Sequence, residues 1–186
     1  MNKRSTVIAV VALVVVIVIF AFVQSRESAD PARFYDRSVT APESMPEEIR
    51  ENMLAQIKAN IARIDANAED FNAWYDLGVY YKGVNDYEGA RLVWEHAAQI
   101  RSDSYAPRVA LGDLYGFYLH DKEKAEYYYR EAIKADPKQG FSYFQFAVYY
   151  RDILNDREKA LQIANEGLLA IPADKDLREL RDSLVK

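Results

Sequence analysis

Two histidines, no cysteine and no recognisable nucleophile motif bound the chemistry open to this 186-residue chain. His96 falls within an apolar-periodic stretch and His120 in a turn, and neither belongs to a two-histidine metal motif. Without cysteine there is no disulfide, no thiolate metal site, no catalytic thiol and no lipid-modified N-terminal cysteine. No glycine-rich loop ending in Lys-Ser/Thr is present to cradle a phosphate, and no Gly-x-Ser-x-Gly to present a serine. Paired acids such as Glu47 and Glu48 stand at a helix start, where they favour the macrodipole rather than a proton transfer. The expectation is a non-enzyme with no catalytic residue, no metal and no cofactor.

Tyrosine is the over-used functional side chain. There are fourteen, including Tyr80-Tyr81, Tyr127-Tyr128-Tyr129 and Tyr149-Tyr150. Neighbours on a helix point about 100° apart, so each run places one ring inward and another outward. Tyr81, Tyr129 and Tyr150 take core positions. Tyr80, Tyr127, Tyr128 and Tyr149 are open to partial exposure, either as interface groups or as shields over seams between helices. Residues 27–186 hold 21 basic and 29 acidic side chains, a net charge of −8, with no Lys/Arg cluster. Nucleic acid is therefore not an expected partner.

The elements that position these side chains announce themselves by a period. Ala55, Ala90, Ala125 and Ala160 lie 35 residues apart. Four residues on come Ala59, Trp94, Tyr129 and Ala164; seven on come Ala62, Ala97, Ala132 and Gly167; twelve on come the turn formers Asn67, Ser102, Pro137 and Pro172. Such a period marks stacked repeats. Ahead of the last three alanine helices runs another apolar-periodic set: Trp74, Leu77, Gly78 and Tyr81; then Leu111, Gly112 and Tyr115; then Tyr143, Phe146, Ala147 and Tyr150. Asp86, Asp121 and Asp156 stand where they can cap the second helix of each pair.

This pattern resembles the tetratricopeptide repeat family, whose signature is an aromatic, Leu-Gly and Tyr, then Ala, an aromatic, Ala and a late Pro. The resemblance covers residues 71–104, 105–139 and 140–174, with Ser102 in place of proline in the first unit and Arg108 in place of the aromatic in the second. It implies an all-α, right-handed solenoid of helix-turn-helix units. Residues 44–70 read as a half-repeat on the N-terminal side, with Ile49, Met53, Ile57, Ile61 and Ile64 on one face and Ser44 and Glu47 at capping-box spacing. Residues 174–186 read as a closing helix with Leu177, Leu180 and Leu184 inward.

Residues 6–23 carry eighteen residues without a charge. A helix of that length spans roughly 27 Å, close to the bilayer hydrocarbon thickness. The segment reads as a spanning anchor with a short basic N-terminus at 1–5, against the alternatives of a cleaved signal peptide and a core helix. The positive-inside rule then places the N-terminus in the cytoplasm and the repeats outside it, as a single-pass membrane protein touching the bilayer through residues 6–23. Residues 24–43 read as a flexible tether.

In the resembled family, ligands lie in the concave groove lined by the first helices. Its positions here are Tyr75, Val109 and Phe144; Val79, Asp113 and Val148; Lys82, Gly116 and Arg151; with Phe141 at the rim. The Lys and Asn that grip a terminal carboxylate in chaperone-binding members are replaced by Tyr75 and Val79. The groove is expected to take a peptide or protein segment with apolar anchors. The resulting expectation is a membrane-tethered adaptor. The alternatives are an assembly factor of a secretion, envelope or cytochrome-maturation machine, and a self-associating scaffold that forms a homo-oligomer.

Overall fold

The structure is a computed structural model and describes residues 37–185. Among these residues every regular element is a helix. α1 (Glu47–Ala66) stands alone; α2 (Phe71–Gly83) pairs with α3 (Tyr87–Ile100); α4 (Ala106–Asp113), continued by one π-helical turn (Leu114–Tyr118), pairs with α5 (Lys122–Ala135). α6 (Gly140–Asp152) pairs with α7 (Arg157–Ala170), and α8 (Lys175–Val185) closes the row. This is the all-α repeat solenoid that the 35-residue period predicts.

The pairs close tightly because bulk is shared across each crossing. Gly78 lies under the Trp94 indole and Gly112 under the Tyr129 ring, so that a Cβ on Gly112 would come within 2.8 Å of that ring. In the third pair the crossing residues are Ala147 and Ala164, both fully buried. A large residue on one helix is thus met by glycine on the other, and two alanines replace that arrangement when neither is large.

Each pair turns in the same way. Asn85, His120 and Asn155 adopt left-handed backbone, at φ 65°, 53° and 52°. The next residue is the capping aspartate: Asp86 accepts from Gly89 N–H at 2.9 Å, Asp121 from Lys124 N–H at 3.0 Å and Asp156 from Lys159 N–H at 2.9 Å. Each aspartate's own N–H donates to the carbonyl of a core tyrosine, Tyr81 at 2.8 Å, Tyr115 at 2.9 Å and Tyr150 at 2.9 Å. That tyrosine is five residues back in the first pair and six in the other two. The extra residue of the second and third units is taken up there, as wide turns in which Leu119 N–H reaches Leu114 C=O and Leu154 N–H reaches Tyr149 C=O.

Several expectations need correction. No helix among the described residues is long and apolar enough to cross a membrane, and residues 6–23 lie outside those described. The described residues form a solenoid with no spanning element among them, and the bilayer partner and single-pass topology are not carried forward. The capping box at Ser44 and Glu47 does not form: Pro46 occupies the cap position without a side-chain bond, and Ser44 lies in the turn closed by Met45 N–H to Pro42 C=O at 3.0 Å. On α1, Ile57 and Ile64 are buried against the array, but Ile49 is 48% exposed. Ala55, Ala59 and Ala62, whose counterparts in the three pairs are buried, are exposed. Among the described residues, α1 has no first helix of its own to cover them. Tyr149 is 1% exposed, because its ring lies over Gly116, where a Cβ would come within 2.6 Å of it. Tyr127, by contrast, is 58% exposed.

Candidate peptide-binding groove

The first helices α2, α4 and α6 carry the groove positions, and a short polar row joins α4 to α6. Trp94 Nε1 donates to Tyr75 C=O at 3.0 Å, fixing the backbone of α2 against α3. On α4, Asp113 accepts from the Tyr129 hydroxyl at 2.6 Å and from Gln145 Nε2 of α6 at 3.3 Å. Asp113 therefore ties its own pair to the next. Burial pushes its carboxyl above the usual range, and the bonds from Tyr129 and Gln145 and the charge of Lys82 oppose that rise. The Tyr75 hydroxyl is also raised, first by burial and then by Tyr105, Asp113 and Asp76.

On either side of this row the surface is apolar. Val79 is 42% exposed and Phe141 is 49% exposed. Tyr75, Phe144 and Val148 are half-buried. Val109 is 3% exposed and offers no area to a partner. The two cations at the lower edge are already engaged. Lys82 Nζ stands 5.6 Å from the centre of the Tyr118 ring, and Arg151 binds its neighbour Asp152 through two bonds of 2.6 and 2.8 Å. Neither presents a bare charge for a terminal carboxylate.

Gln145 and Tyr118 are groove residues that the repeat register does not reveal. Gln145 becomes relevant only once α6 is set beside α4, and Tyr118 only because the π-helical turn carries it round toward Lys82. No group of three or more His, Asp or Glu side chains is placed to hold a metal among the described residues.

Comparison with known proteins agrees with this architecture. The family profile described as tetratricopeptide repeat matches residues 107–139. The fold is TPR-like. Solved structures with the same fold include a crystal structure of MamA, 17% identical with a TM-score of 0.55, covering 75% of this chain and 86% of that one. A second MamA structure is 16% identical with a TM-score of 0.53, covering 75% and 80%. The MamA RS-1 ArsTM double mutant is 14% identical with a TM-score of 0.52, covering 69% and 71%. Anaphase-promoting complex subunit 3 of Schizosaccharomyces pombe (strain 972 / ATCC 24843) is 31% identical over 112 residues. That match takes in 60% of this chain but spans only 16% of the length of that protein.

Proposed function

We propose that the chain acts as an adaptor that holds a polypeptide segment in the groove of α2, α4 and α6. The observation that carries this reading is the pair of solvent-open apolar side chains Val79 and Phe141, flanking half-buried Tyr75, Phe144 and Val148. A helix or extended segment with two or three apolar anchors would cover that surface, and the Asp113–Gln145 row would bond to polar groups between the anchors. Binding alone, without chemistry on the bound segment, is the function.

Photo-crosslinking in cells tests it. A benzophenone amino acid placed at Val79 or Phe141 of the full chain should capture a discrete protein, whereas one at Lys134, on the second-helix side of the array, should not. Capture of the same species from Lys134 and Val79 alike would refute the groove. A smear of many unfolded clients in place of a discrete band would favour the assembly-factor reading over the adaptor.

A further inference from the structure

The first and last described helices are opposite halves of one repeat. α8 is a first-type helix: its buried Leu177, Leu180 and Leu184 fall 34 residues after Tyr143, Phe146 and Tyr150 of α6. No second helix follows it among the described residues. α1 is a second-type helix in the 35-residue register, and its Ala55, Ala59 and Ala62 are exposed.

The outer edge of α7 is the anomaly that connects them. Between interior second helices the facing positions are polar. Tyr128 donates to Glu95 at 2.9 Å across the α3–α5 seam, and Arg130 binds Glu166 at 2.8 Å across the α5–α7 seam. Where this edge of α7 meets water among the described residues, such positions should be at least as polar. They are not. One period after Glu126 and Lys134 stand Leu161 and Leu169, Leu169 is 85% exposed, and both leucines line an open concavity of about 530 Å³. This is where the next second helix would seat. The incoming positions, occupied by Lys159 and Glu166 on α7, correspond on α1 to Leu54 and Ile61, both half-buried.

We propose that copies of this chain join head to tail, α1 of one copy seating against α7 and α8 of another to complete a composite repeat. Leu54 and Ile61 then cover Leu161 and Leu169, and the exposed alanines of α1 meet α8. The composite crossing again sets a large residue against a small one, with the bulk on the first helix and alanine in the place of glycine. Gly78 meets Trp94, Gly112 meets Tyr129 and Ala147 meets Ala164; at the composite crossing the first helix supplies Arg181 and the second supplies Ala59. The contact is heterologous, so each joined pair leaves one free end of each kind and growth continues. This mode of self-association is independent of what the groove holds.

The absence of native cysteine makes a direct test available. In the full chain, Leu54→Cys with Leu161→Cys should give a ladder of disulfide-linked multimers under mild oxidation. Each single variant should stay unlinked, and a mixture of the two singles should stop at dimers. In sedimentation the parent chain should form multimers, and Leu169→Glu, at an exposed site that folding does not use, should be monomeric. An unlinked double variant, equal linking by either single variant, or multimers that survive Leu169→Glu would each overturn the proposal.

Discussion

Tyr129→Phe removes one oxygen from the centre of the molecule and tests whether Asp113 is the tie between adjacent pairs. The Tyr129 ring is fully buried and stacks on Phe146 at 5.0 Å between centres, and phenylalanine keeps that contact. What disappears is the 2.6 Å bond from the hydroxyl to Asp113. A hydrogen bond to a charged group contributes about 1.5–3 kcal/mol, and the carboxylate left behind would keep only the longer bond from Gln145. For a domain of this size, a loss of about 2 kcal/mol lowers Tm by roughly 4–8 °C.

The effect depends on pH with a defined sign. Burial raises the folded pKa of Asp113 above the ordinary value of 3.8, so the folded state binds its proton more tightly than the unfolded chain. The stability contributed by this group is fully present below 3.8 and is lost as pH climbs through the raised folded value. Removing the Tyr129 bond, one of the influences holding that value down, enlarges the loss at neutral pH. Thermal unfolding of the helical signal at pH 7 and near pH 4 should therefore show a larger Tyr129→Phe deficit at pH 7. Asp113→Asn should flatten the pH dependence and reduce the cost of Tyr129→Phe by about half, because a neutral amide oxygen accepts a weaker bond. A deficit below about 0.5 kcal/mol at pH 7, or an equal deficit in the Asp113→Asn background, would refute the tie.

Other substitutions probe the turns, the crossings and the groove. Asp121→Ala and Asp156→Ala should each cost about 1 kcal/mol by denaturant unfolding. Asp86→Ala should cost more, since Asp86 also pairs with Arg37 at 2.9 Å, and Arg37→Gln should recover that excess alone. Gly112→Ala, which puts a methyl group against the Tyr129 ring, should destabilise by about 1–3 kcal/mol, and unfolding should become less cooperative as the second pair opens. Phe144→Ala should weaken a groove partner by about 1–2 kcal/mol in titration calorimetry, while Val79→Glu should abolish binding with Tm unchanged within about 1 °C.

The repeat register was legible because it is written in residue size. Gly78, Gly112 and the buried alanines admit no larger side chain at those crossings, so the chain repeats them visibly. The capping aspartates were legible for a similar reason, since one residue type at one offset does a local task. Asp113 was placed in the groove by register alone, but its bonds to Tyr129 and Gln145 depend on side chains 16 and 32 residues away, and no local pattern encodes them. The burial of Tyr149 was missed because it depends on Gly116, a glycine on a different helix. The exposure of the α1 alanines was not legible, because the period reports the type of helix and not whether a neighbour packs on it. The apolar segment at 6–23 was read as a bilayer anchor from length and hydropathy, and no described helix supports that topology.

The bond from each capping aspartate to the tyrosine carbonyl sets where the chain can vary in length. Four or five residues fit between the two ends of that latch, and the helices on either side keep the same crossing. Length differences are thus absorbed outside the packed surfaces, and the opposite rim does not register them. The stretch Leu119–His120 is therefore a natural insertion point. A short tag or recognition sequence placed there would extend the loop while the groove on α2, α4 and α6 kept its spacing.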